Sequence, residues 1–310
     1  MKRILTAIII SCITLPALSQ DTLFAVKDTI WKRGGLAALN FTQVSLSNWA
    51  AGGQNSLSGM ALFNYYANYK KGKVSWDTNI DLGYGLTQNG DANPIKSEDK
   101  IDIATKYGRH AFKKWYYSAM LGFKSQFSDG YNYPNDSVKI SNFLSPAYIT
   151  LALGLDYKPN DNFSLFIAPL TGRIIIVNDE DLSDAGAFGV DPAEYNALGI
   201  KVKDGETIRY EFGALLKAVY KKDILENVNL QTKLELFSNY LEDPQNVDVN
   251  WEVLIAMKVN QYITATLSTQ LIYDDNTIIG VDNNDDGIID ETGPRTQFKE
   301  VLAVGIAYKF

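Results

Sequence analysis

Past its N-terminal stretch the chain alternates apolar and polar side chains in repeated segments of about ten residues, the period of a strand with lipid on one face and water on the other. The clearest segment runs Val74, Trp76, Thr78, Ile80, Leu82, Tyr84, Leu86, with Ser75, Asp77, Asn79, Asp81, Gly83 and Gly85 between them. Successive strand side chains point to opposite faces, so one face is lipid-compatible and the other small, polar or charged. The stretch from Ile208 repeats the design, with Tyr210, Phe212, Ala214, Leu216, Ala218 and Tyr220 outward and Arg209, Glu211, Gly213 and Lys217 opposite. Weaker versions lie near 36–48, 57–69, 99–109, 115–127, 147–157, 163–175, 228–240, 247–259, 262–273 and 297–310. The pattern predicts an all-β fold, a transmembrane antiparallel β-barrel of about twelve strands.

The connections sort by length. Short ones fall at Lys70–Lys73, Arg109–Lys114, Lys158–Asn162, Lys221–Asn227 and around Asn260–Gln261; longer ones at 49–56, 88–98, 128–146, 176–207, 241–246 and 274–296. A soluble sandwich has no reason for this order, whereas outer-membrane barrels pair short periplasmic turns with long outer loops. The final strand alternates Leu302, Val304, Ile306, Tyr308 and Phe310 with small or charged residues. It resembles the C-terminal signal by which barrels are recognised for insertion, with Tyr308 and Phe310 as its aromatic positions. That reading makes outer-membrane lipid and the insertion machinery the expected partners, and puts both termini in the periplasm. Aromatics gather near both sets of connections, as two interfacial belts require.

The N-terminus reads as an export leader over 1–19, with Lys2 and Arg3, an apolar run, and Ala17-Leu18-Ser19 before a cut. Residues 20–34 are then a periplasmic lead-in and 35–310 the barrel. Cys12, the only cysteine, also sits in a loose lipoprotein-like box, but Ile13, Thr14 and Leu15 continue the apolar run past it. Cleavage would leave no cysteine, excluding disulfides and thiol chemistry. Removing Lys2 and Arg3 would take the formal charge from −7 to −9, an acidic balance that argues against nucleic-acid binding.

By parity, the inward face carries Asp77, Asp81, Lys100, Asp102, Arg209, Glu211, Lys217, Lys233, Glu235, Glu252 and Lys258. Such a set is either a selectivity ladder along an aqueous path or a salt-bridged plug. A second candidate lies at 282–291, which resembles the first nine positions of an EF-hand-type calcium loop. Asp282, Asn284 and Asp286 alternate, Gly287 permits the sharp turn, and the Ile288 carbonyl and Asp290 follow. The twelfth position is Gly293, so Glu291 would have to supply the last carboxylate, and Ca2+ is the one cofactor expected. The alternative is a plain acidic surface turn. The 176–207 loop either folds into the mouth or carries a short helix.

The segment Asn48-Trp49-Ala50-Ala51-Gly52-Gly53, with Phe41–Leu46 before it and the Trp31–Gly35 lead-in, resembles an uncharacterised outer-membrane family of Bacteroidetes-type bacteria. The resemblance implies an outer-membrane barrel and brings no catalytic or binding residues. Within the motif, Trp49 reads as an interface anchor or as a ligand-contacting ring.

An enzyme is not expected. Twelve-stranded phospholipases need a His–Ser pair at the outer membrane boundary, and the sole histidine, His110, falls in a short turn. The leading expectation is a passive channel for small hydrophilic solutes. The other is a non-conducting accessory or structural barrel that holds a partner or surface glycans through its long acidic loops.

Overall fold

The structure, a computed structural model, describes residues 30–46, 53–133, 136–260, 262–281 and 290–310. Twelve strands form the wall: β1 Trp31–Val44, β2 Ser56–Lys71, β3 Val74–Asn89, β4 Ile95–Phe112, β5 Trp115–Ser125 and β6 Ala147–Asn160. They continue with β7 Phe163–Ile176, β8 Ile208–Leu225, β9 Val228–Asn239, β10 Val247–Lys258, β11 Ile263–Tyr273 and β12 Gln297–Lys309. Each pairs antiparallel with its neighbours in the chain, and β12 returns to β1 to close the barrel. Closure gives the wall's backbone groups partners inside the sheet, as hydrocarbon requires, except where β1 and β12 part beyond Asn40 and Gly305.

All twelve predicted strands are present. The first starts earlier than expected, so the stretch read as a lead-in gives its last four residues to β1. The connections alternate as predicted, with tight turns at 72–73, 113–114, 161–162 and 226–227 and a short connection between Lys258 and Ile263. The loop expected at 88–98 shrinks to 90–94, because β3 and β4 keep pairing past a bulge at Ser97.

The outer face is that of a protein in lipid. Leu39, Leu121, Leu151, Leu170, Leu302 and Ile306 are all at least half exposed, in a density that water would not tolerate on a monomer. Ring pairs mark both rims: Trp76 with Tyr107 and Trp115 with Tyr157 near the turns, Tyr84 with Phe127 and Phe212 with Tyr240 near the loops. The C-terminal ring of Phe310 stacks on Phe63, Tyr65 and Tyr308. It lies where a Cβ on Gly35 would stand, which explains a glycine in β1 at that point.

A bulge in the middle of β7 breaks strict alternation. Against both neighbours β7 advances three residues where they advance two, between Ala168 and Thr171 against β8 and between Ile167 and Leu170 against β6. Pro169 cannot donate to the ladder, so the extra residue is accommodated there as a bulge. Pro169 and Leu170 both face out, Thr171 turns in, and its hydroxyl donates to the Ala168 carbonyl at 3.1 Å. The inward parity of β7 is thereby reset, and Arg173 enters the lumen.

The long loop 177–207 folds on itself. Helix α1, Glu180–Asp184, is capped by Asp179, whose carboxylate accepts from the Leu182 amide. Val177, Leu182 and Val190 make a small core with Ala187 and Phe188 beside it, and Glu194–Tyr195 pairs with Lys201–Lys203.

Candidate functional site: a charged network inside the barrel

The barrel interior is crossed by ion pairs. Around the ring, β4 and β10 stand six strands apart in either direction, as do β3 and β9. Lys100 of β4 nevertheless places its Nζ 2.8 Å from both carboxylate oxygens of Glu252 on β10. Lys233 of β9 donates to Asp81 of β3, whose other oxygen accepts from Asn64. Opposite walls are tied across the width of the lumen at two places. Lys221 of β8 likewise reaches over the Tyr66 ring of β2 at 4.6 Å, a third diametric contact.

Further groups fill the space between. Glu235 accepts from Lys124 at 2.8 Å and pairs with Lys217 at 3.1 Å. Toward the turns, the fully buried Asp156 is held by Lys106 at 2.7 Å, Lys158 at 3.2 Å and the Ser164 hydroxyl; Lys158 also bonds Asp77. Toward the loops, Arg173 bonds Glu211 and, at 2.6 Å, Asp248, and its guanidinium lies 4.1 Å from the Phe237 ring centre. Lys299 reaches Glu98 across the mouth at 3.0 Å.

The interior is not wholly polar, which departs from the sequence expectation. Met120, Phe166, Leu215 and Phe237 meet over Ala152 and Ala168 in a buried cluster on the β5–β9 side. Small and apolar residues on inward parity pack there as in a soluble core.

Of the residues predicted to line the lumen, Asp77, Asp81, Lys100, Arg209, Glu211, Lys217, Lys233, Glu235 and Glu252 join this set of pairs. Asp102 is buried beside them. Lys258 is exposed at the turn end of β10, outside the network. Sequence reasoning passed over Lys106, Lys124, Asp156, Lys158, Arg173, Asp248 and Lys299. Lys106 shares its parity with Lys100 and Asp102 and was legible; Arg173 was hidden by the bulge at Pro169.

The mouth is laced rather than free. Asp179 accepts from Lys139 at 2.7 Å and Asn142 at 3.0 Å, joining loop 177–207 to loop 126–146. Burial pushes the Asp179 carboxyl up, but these two donors and the Leu182 amide outweigh it and hold the group below the usual aspartate range. Lys139 is raised by the same bond. Lys201 binds Asp184 at 2.7 Å, Glu180 at 2.9 Å and Asp204 at 3.0 Å, which raises the amine and depresses Asp184. Arg209 ties this cap to the lumen, donating to the Gly189 carbonyl at 2.9 Å and to Glu242 at 2.5 Å.

Asp282, Asn284, Asp286 and Ile288 of the calcium-like loop lie outside the described residues. Asp290 and Glu291 are described: the Asp290 amide donates to Val281, and Glu291 accepts from Arg295 at 2.7 Å. The side chain of His110 sits at the turn end, its Nε2 3.0 Å from the Lys113 carbonyl.

A family described as a protein of unknown function (DUF3078) matches residues 41–131. No curated protein matches the chain. Among solved structures, the chain is similar to an outer membrane channel from Pseudomonas putida F1, at 12% identity over 91% of this chain and 96% of that one, with a TM-score of 0.38. It is similar to outer membrane phospholipase A from Escherichia coli at 12% identity over 90% and 96%, TM-score 0.35. The translocator domain of the autotransporter NalP from Neisseria meningitidis matches at 9% identity over 91% and 88%, TM-score 0.33.

Proposed function

We propose that this chain is an outer-membrane barrel held shut across its lumen, an accessory or structural barrel that works through the face built by its long loops. The observation that carries this reading is the pair of diametric ion pairs, Lys100–Glu252 and Lys233–Asp81. A hydrated ion passing along the axis would have to separate charges already paired in a partly dehydrated interior, where the attraction is stronger than in water. The apolar cluster of Met120, Phe166, Leu215 and Phe237 narrows the same space from one side. Placement in the outer membrane draws support from the apolar outer face and from the ring pairs at both rims.

The passive-channel alternative needs a continuous aqueous path, and the straps weigh against it. Single-channel recording of the folded barrel in a planar bilayer separates the two. Silence from a barrel verified as folded is expected; discrete ohmic steps from the unaltered chain would overturn the proposal.

A further inference from the structure

The barrel closes by an unusually short seam. β1 and β12 pair only over Leu36–Asn40 against Gly305–Lys309. Every other neighbouring pair in the wall runs over ten or more residues. Beyond Asn40, β1 continues through Phe41 to Val44, paired with β2 alone. Beyond Gly305, β12 continues to Gln297, paired with β11 alone. Two strand edges thus part within the wall, and hydrocarbon supplies no partner for the backbone groups they leave.

A groove of about 510 Å³ on the membrane-facing surface runs up to the point of parting. Ala37 and Ala61 form its floor, and Leu39, Phe63, Tyr84, Ile306 and Tyr308 are among its walls. The register places Ile306, Leu39, Ala61 and Tyr84 in one row across β12, β1, β2 and β3. The next pair upward is Asn40–Gly305, the last of the seam. The groove and the parted edges are therefore continuous. One is apolar and bathed in acyl chains; the other offers unpaired amide donors and carbonyl acceptors.

We propose that the β1–β12 seam is a lateral binding site for an acyl-chain amphiphile. The chain lies in the groove over Ala37 and Ala61, and a hydrogen-bonding headgroup meets the backbone of the parted edges beyond the Asn40–Gly305 pair. A headgroup there supplies the partners the wall lacks, which a second hydrocarbon surface could not do. The site is independent of whether the lumen conducts.

The test uses the full barrel reconstituted in vesicles of phosphatidylcholine and phosphatidylethanolamine, then released into detergent and weighed intact by native mass spectrometry. The unaltered protein is expected to carry bound phospholipid. Ala61→Trp, which fills the groove, is expected to lose it. Ala218→Trp, the same change on the outer face of β8 at the far side of the ring, is expected to keep it. Equal retention by all three proteins, or no lipid on the unaltered one, overturns the proposal. A two-chain mass without lipid also overturns it, in favour of a strand lent by a second copy. Amide exchange on the unaltered barrel needs no variant: amides of 41–44 are expected to exchange faster than those of 36–40. Uniform protection along β1 would remove the parting and the site with it.

Discussion

Lys100 on β4 grips both carboxylate oxygens of Glu252 on β10, at 2.8 Å each, from the opposite wall of the barrel. A contact of that kind fixes the distance between two walls that share no backbone hydrogen bond. If it and the Lys233–Asp81 pair hold the lumen shut, removing one carboxylate from each should open it. Asp81→Ala with Glu252→Ala is expected to turn a silent barrel into one with discrete conductance steps. A silent double variant that still folds would shift the closure to the apolar cluster and the loop cap.

The ion pairs of the lumen also set stability. Glu235→Ala strands Lys124 and Lys217 together, and leaving buried charge uncompensated costs about 3–5 kcal/mol. The charge swap Lys100→Glu with Glu252→Lys should recover most of what either single change loses. Thermal melting of the unaltered protein, Glu235→Ala, the two single reversals and the swap reads both effects directly. Additive losses in the double swap would mean that the pair contributes no coupling.

The outer face gives a sharper test of the membrane. Leu151 is 56% exposed on β6, and in a soluble protein its replacement by arginine would cost almost nothing. On a lipid-facing wall Leu151→Arg should cost about 2–4 kcal/mol if it lies near the bilayer midplane. Refolding equilibria into lipid vesicles measure the difference, and an unaffected equilibrium would contradict a lipid-facing β6.

The loop cap should respond to acid. Asp179 and Asp184 are both held below the ordinary aspartate value, so their contribution is complete above about pH 4 and is lost as pH falls through their depressed values. Lys139 and Lys201 are shifted upward; their contribution is present at neutral pH and is lost only on strong alkalinisation. Exchange of the Leu182 and Ser183 amides, corrected for intrinsic rate, should therefore accelerate in acid while strand amides stay protected. Unchanged protection down to about pH 2 would assign the cap's stability to Val177, Leu182 and Val190 alone.

The wall was legible because a barrel obeys a period of two, and few residues depart from it. Trp76, Tyr84, Tyr210 and Phe212 face outward as alternation required. In β7 one imino acid breaks it: Pro169 inserts a residue and turns Arg173 from the lipid side to the lumen. Local pattern also fixes only which face a side chain takes. It carries no information on which opposite strand that side chain meets, so Lys100 and Glu252 were both placed inward without being placed together. The helix over Glu180–Asp184 was one of two options left open, since five residues give too little period to detect. The filling of the lumen by Phe166 and Phe237 escaped because inward parity was expected to mean polar.

The diametric straps also bear on time rather than on strength alone. Asp81 and Lys233 are 152 positions apart, as are Lys100 and Glu252. Neither pair can form until both halves of the sheet have curled to face each other. Contacts made that late are absent from the folding transition state, and such contacts slow unfolding without hastening folding. The completed barrel should thus be a kinetic trap of its own making, assembled at the pace of its hairpins and released only when two walls let go of each other at once.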